Sequence, residues 1–272
     1  MKQCKRIFSN RILLQARGSG FTLLELTVVL MIIAVIVGGA ITLTSVALQN
    51  VAATTTKSKL KTLQESLFNY RIAYNRLPCP ANSGYAMTEA YYGVEALYIG
   101  GYCSGGTPSA DTVQAPGAEI GMVPVRTLGL PDDAAIDGWG RRINYAIPRE
   151  YAAENGFDAI DADDTTERLI ITNNDSNSAL ANTGAYVLVS HGKNGHGARA
   201  GSVGTLVNSA QTNSNELLNC KCDTSGVYDG GTATPAQFVQ GDERLDPEIE
   251  ANSFDDMVVF ASRLDLRNPA KE

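Results

Sequence analysis

Glu25 is the residue whose type and setting most demand a chemical explanation. It sits among Phe21, Leu23, Leu24 and Leu26, and no charged residue follows until Lys57. A carboxylate in hydrocarbon is costly unless paired, so an ionisable residue there is a functional residue by default. Five cysteines come next. Cys4 lies in a basic leader, and Cys79, Cys103, Cys220 and Cys222 lie in the body. An even number in an exported body suggests disulfides, although connectivity is not legible in sequence. Cys79 and Cys103 flank one turn-rich segment and are paired here on that ground. Cys220-Lys221-Cys222 closes a small ring or shares one metal, and two loop disulfides is the plainer reading. His191 and His196 are the only histidines, set in Ser190-His-Gly-Lys-Asn-Gly-His-Gly197. Zinc would need a further ligand that nothing places, so a glycine-rich turn with incidental histidines is expected. Asp158, Asp161, Asp163 and Asp164 form an acidic cluster without the mid-loop Gly and closing Glu of an EF-hand, which reads as a solvated loop. The chain has no Gly-x-Ser-x-Gly elbow, phosphate loop or dinucleotide fingerprint, and an enzyme is not expected.

These residues need elements to position them. Lys2, Lys5, Arg6, Arg11 and Arg17 make residues 1–20 basic, and no acid offsets them. The formal net charge of the 272-residue chain is −7, so the body is more acidic still. That balance argues against a nucleic-acid partner. Residues 26–43 are apolar over about the length needed to cross a bilayer as a helix. The basic side should stay cytoplasmic and the body should be periplasmic. A secretory signal would end in a small-x-small site after its apolar region. Here Gly18-Ser19-Gly20 comes before it, so a cut at that point leaves the helix on the mature chain. If the cut follows Gly20, Phe21 carries the new amine. Glu25, four residues on, shares a helical face with it and could pair with it or with the amine of a neighbouring subunit.

The helical pattern continues. Leu60, Leu63, Leu67, Tyr70 and Tyr74 form a stripe that ends at Leu77-Pro78-Cys79-Pro80. One helix over about 22–75 would be about 80 Å long at 1.5 Å per residue. Residues 77–120 read as a long loop with a short helix at 88–97. Strands are expected at 143–147, 168–172, 185–190 and 256–262, and 200–250 reads as a surface excursion. The fold class is therefore α+β: a long N-terminal helix, membrane-spanning in its first half, packed on an antiparallel β-sheet domain with long loops. The divisions are 1–20 leader, 21–76 helix and 77–272 periplasmic globular domain.

Gly20-Phe21-Thr-Leu-Leu-Glu25-Leu resembles the processing site of type IV prepilins and type II secretion pseudopilins. The resemblance implies cleavage between Gly20 and Phe21 by a prepilin peptidase, N-methylation of Phe21, and an assembly role for Glu25. It also implies pilin or pseudopilin partners, an inner-membrane assembly platform, and a single-pass bacterial inner-membrane precursor that enters a periplasmic or surface filament. In the body, Asp137-Gly-Trp-Gly-Arg-Arg-Ile-Asn-Tyr145, Val189–Gly195 and Asn252–Val259 are similar to segments of major pseudopilins. There the last two bind calcium. By that likeness Ser190, Asn194, Asp255 and Asp256 would be ligands, although Asn194 stands where an acid is usual and the two halves lie far apart in sequence. The other reading is that these residues merely cap and hydrate a turn and a strand start. The body exceeds that of a typical major pseudopilin, which favours a minor subunit. The competing reading is a membrane-tethered periplasmic domain that binds a ligand or metal at 190–197.

Overall fold

The computed structural model describes residues 21–105, 113–115, 117–157, 169–176, 178–207, 211–227, 236–243 and 253–266. Gly20 and the acidic cluster at 158–164 lie outside them. The chain divides into two units, Met1–Ala47 and Leu48–Glu272.

The first described element is α1, Leu23–Tyr74. Thr22 caps its start, because its hydroxyl accepts from the Glu25 backbone N–H at 3.2 Å. Glu25 in the first turn also suits the positive end of the helix dipole. Among the described residues no helix is long and apolar enough to cross a membrane. This corrects the expected membrane-spanning first half. It also corrects the expected single-pass inner-membrane placement with a periplasmic body.

In the second unit, Leu60, Leu63 and Leu67 are buried along one face of α1. Fully burying each such side chain contributes about 1.5–3 kcal/mol. The helix ends where Asn75 takes a left-handed φ of 53° and its N–H bonds the Arg71 carbonyl. The Pro78 and Pro80 rings then forbid continuation.

The strands are β1 (Leu97–Ile99), β2 (Tyr102–Gly105), β3 (Val113–Ala115), β4 (Ala118–Met122), β5 (Asn144–Pro148), β6 (Leu169–Asn173), β7 (Ala179–Ser190), β8 (Gln237–Gln240) and β9 (Met257–Ser262). β1 and β2 form a separate antiparallel pair. The other seven form one sheet in the order β3-β4-β5-β7-β6-β8, with β9 also paired to β7. The sheet is mixed, which corrects the expected antiparallel one. β8 runs parallel to β6, with Ile171 opposite Phe238. The expectation failed because β8 comes from the segment read as a surface excursion. That segment also contains α2, Ser214–Cys220. The helix expected at 88–97 is absent: turns occupy this stretch, Gly93 adopts a φ of 65°, and β1 begins at Leu97.

Alternation places the core on both faces of the sheet. Tyr145, Ile147, Tyr186 and Leu188 join the α1 leucines in one cluster. Ala146, Val187, Val189, Ile120, Ile171 and Phe238 form a second. Burial on both faces explains why 185–189 is an unbroken apolar run rather than an alternating one.

Candidate metal centre

β7 ends at Ser190, directly opposite Met257, the first residue of β9. This register sets the loop after β7 beside the lead-in to β9, although they lie far apart in sequence. Gly192 makes the approach possible. Its φ is 52°, and a Cβ there would stand 2.7 Å from the Asp255 carbonyl carbon. The Asn194 N–H donates to Asp255 Oδ2 at 2.9 Å.

α2 supplies the third wall. Asn213 caps it by accepting from the Asn215 N–H, and Glu216 stands three residues after the cap. Cap plus Glu is a helix-start signal, but this Glu does not turn back to its own cap. Glu216 Oε1 accepts from the Asp255 N–H at 2.8 Å, and the Asn194 amide donates to both carboxylate oxygens at 3.1 and 2.8 Å. Gln211 Nε2 also donates to Glu216. Asn219 on α2 donates to Asp256 Oδ2 at 2.9 Å while exchanging bonds with the Val239 backbone of β8.

Glu216, Asp255 and Asp256 thus converge, one oxygen from each lying within 4.8 Å of the others. All three side chains are buried. Burial, and then the charges of Asp256 and Asp255, pushes the Glu216 carboxyl up to about 9. Burial, and then Asp255, raises Asp256 well above the usual carboxylate range. His191 stands beside them, its Nδ1 3.4 Å from Asp256 Oδ1 and its Nε2 2.9 Å from the Asn144 amide. As the Asn144 amide donates, Nε2 accepts and Nδ1 carries the proton. Burial lowers His191 to about 4 against the pull of Asp137 and Asp255, so at neutral pH it adds no charge.

Three carboxylates in a low-dielectric site cannot all ionise without a counter-charge. They hold protons or they hold a cation. The donor set fits a hard divalent ion: it is all oxygen, and Asp255 Oδ1 is buried with no hydrogen-bond partner among the described residues.

Of the residues expected to bind calcium, Asp255 and Asp256 are in the cluster. Asn194 points its amide nitrogen at Glu216. Ser190 is elsewhere, its hydroxyl donating to Asp137 Oδ2 at 2.6 Å. Glu216 was missed in sequence. The Asn213-x-x-Glu216 cap was the available signal for the helix, though not for the convergence. The two aspartates are buried, not hydrated as the alternative reading supposed. The two histidines are buried and part company: His191 meets Asp256, whereas one ring nitrogen of His196 clusters with Cys220 and Cys222. Cys79 pairs with Cys103 and Cys220 with Cys222, at Cα–Cα distances of 5.5 and 5.1 Å.

At the other end of the described chain, Phe21 and Glu25 are exposed. No family model, curated protein or solved structure matches the chain.

Proposed function

We propose that the chain is a prepilin-like structural subunit, cut after Gly20 by a prepilin peptidase, N-methylated at Phe21, and assembled with other pilin or pseudopilin subunits. The assembly is a type II secretion pseudopilus or a type IV pilus, and the size of the body favours a minor subunit. The observation that carries this reading is the segment after the cut. From Phe21 to Ile36 every side chain is exposed, and all but Thr22, Glu25 and Thr27 are apolar. An exposed apolar helix of that length calls for protein neighbours to cover it. Glu25 is the one acid in it and would pair with the Phe21 amine of a neighbour, setting the register between subunits. Thr22 supports the same division of the chain, because it caps α1 just past the cut.

The body's part is structural. Calcium, six to eight oxygens around it, would be held by Glu216, Asp255 and Asp256 together with nearby carbonyls. It would tie the β7 loop, α2 and the β9 lead-in into one piece.

Co-expression with a prepilin peptidase followed by intact-mass measurement tests the reading. The expected product has lost residues 1–20 and gained one methyl group. Glu25→Ala should leave that processing intact but remove the subunit from filaments. Normal incorporation of Glu25→Ala would sink the assembly role.

A further inference from the structure

The second disulfide is poorly placed to act as a staple. A cross-link stabilises chiefly by restricting the unfolded chain, and the effect grows with the length of the loop it closes. Cys79 and Cys103 are separated by 24 positions, but Cys220 and Cys222 by only 2. Yet the fold encloses the shorter pair together with a histidine. Cys220, Cys222 and His196 are all nearly fully buried. One His196 ring nitrogen and the two sulfurs lie within 4.8 Å of one another. Gly197, at a φ of 73°, lets the loop press this close. A Cβ there would meet Cys220 Cβ at 2.5 Å and Cys222 Sγ at 2.8 Å.

His196 is also held by the backbone. Its Nε2 is 3.0 Å from the Asp223 carbonyl oxygen. A proton held at Nε2 by that carbonyl puts the lone pair on Nδ1. Metal-ligating imidazoles characteristically donate their other N–H to a carbonyl or carboxylate in this way. The His196 backbone N–H is fixed as well, donating to Asn194 Oδ1 at 2.9 Å.

We infer that His196, Cys220 and Cys222 form a second cation site, specific for a thiophilic d10 ion such as Cu⁺ or Zn²⁺, that alternates with the Cys220–Cys222 disulfide. Two thiolates and an imidazole select soft ions over calcium. In the oxidised form the sulfurs are bonded to each other and offer no thiolate. A dithiol or phosphine reductant supplies two electrons and the S–S bond breaks. Two protons complete the thiols: a dithiol gives its own and leaves as a disulfide, whereas with a phosphine one water gives both protons and the oxygen of the phosphine oxide. Metal binding then releases the two thiol protons to solvent. The site is independent of the filament reading, since it uses no residue of α1.

The test uses the full chain, unfolded with a phosphine reductant in guanidinium. It is refolded without oxygen in excess calcium, which occupies the carboxylate cluster, plus one equivalent of Zn²⁺ or, in a parallel arm, Cu⁺. After desalting, metal content and thiolate-to-metal ultraviolet absorption are measured. Wild type should retain about one thiophilic ion per chain in at least one arm. Cys79→Ser/Cys103→Ser should retain it too, and Cys220→Ser/Cys222→Ser should retain none. His196→Gln should bind at least roughly tenfold more weakly with an altered absorption band, which keeps the test decisive if the double serine variant does not fold. The arm that retains metal identifies the ion. Retention by the Cys220→Ser/Cys222→Ser variant, an unchanged His196→Gln, or no retention by wild type in either arm would overturn the inference.

Discussion

Glu216 shows how one side chain's meaning depends on what is brought to it. Alone it is a helix-start acid. Beside Asp255 and Asp256 it is a buried carboxyl held protonated in the metal-free protein. Glu216→Gln should therefore fold about as well as wild type without metal, because the amide, like the protonated acid, carries no charge to bury. Calcium affinity should fall by about tenfold or more, since ligand charge sets affinity. Isothermal titration with calcium checks the affinity, and thermal melts in chelator check the stability. Arg142 makes the opposite case, a buried charge each of whose three nitrogens is hydrogen-bonded. It donates to the Gly201 carbonyl through Nε and Nη2 at 3.1 and 3.0 Å and to the Ser83 carbonyl at 2.8 Å, and it lies over the Tyr92 ring. Arg142→Met should cost about 3 kcal/mol, because hydrogen bonds to charged groups contribute about 1.5–3 kcal/mol and two buried carbonyls lose their donor. Chemical denaturation measures this directly.

Between elements, contact is close where the turn after Asp137 meets α1. The Gly138 N–H donates to Thr56 Oγ1 at 2.9 Å, and the Thr56 hydroxyl donates to the Ala52 carbonyl at 2.9 Å. A Cβ on Gly138 would stand 2.6 Å from Ala52 Cα. Gly138→Ala should therefore push the turn off the helix and cost roughly 1–3 kcal/mol, as overpacking does. Gly129→Ala serves as the comparison. Its φ of 71° is left-handed, unlike that of Gly138, and a Cβ there meets nothing within 4 Å, so the variant should incur only backbone strain. Melting temperatures of the two variants separate a steric clash from loss of left-handed freedom. The Cys79–Cys103 bond ties the segment after α1 to β2. Cys79→Ser/Cys103→Ser should destabilise by about 3 kcal/mol on the loop-entropy account. Peptide mapping without reduction checks the pairing, and denaturant midpoints check the cost.

At the scale of the unit Leu48–Glu272, the buried titratable groups set a pH dependence. Glu216 and Asp256 are raised, so the native state keeps protons that the unfolded chain releases. Their contribution is present below the ordinary carboxylate range and is lost as pH rises, for Glu216 through about 9. His191 is lowered from 6.5 to about 4, so its contribution is present above 6.5 and is lost as pH falls through about 4. The two trends oppose each other in the acid range. Above 6.5 the carboxyl trend remains, and metal-free protein should become less stable from there toward pH 9. Calcium held by the ionised carboxylates, as proposed, should reverse that slope. It adds about 2.7 kcal/mol at a hundredfold excess over Kd. Thermal melts across pH, in chelator and in calcium, check both signs.

Local chemistry was legible in the sequence, and long-range company was not. The period of Leu60, Leu63 and Leu67 marks a buried helical face because 3.6-residue spacing is a property of the chain itself. Pro78 and Pro80 fix where that helix stops, and the apolar runs mark the strands near 145, 170, 187 and 258. Gly20, Phe21 and Glu25 enter the proposed processing site through their order along the chain, which folding does not alter. The direction of β8 was not legible, because a short strand looks the same whether its neighbour runs with it or against it. Nor was the carboxylate cluster, which needs Gly192, Asn194, Glu216 and Asp255 to meet across a register set by β7 and β9. Cys220-Lys221-Cys222 spans both cases: its ring was visible in the spacing, and only folding brought His196 to it. Glu25 can be read from its neighbours in sequence, but Glu216 only from its neighbours in space, because burial and convergence are properties of the packed sheet.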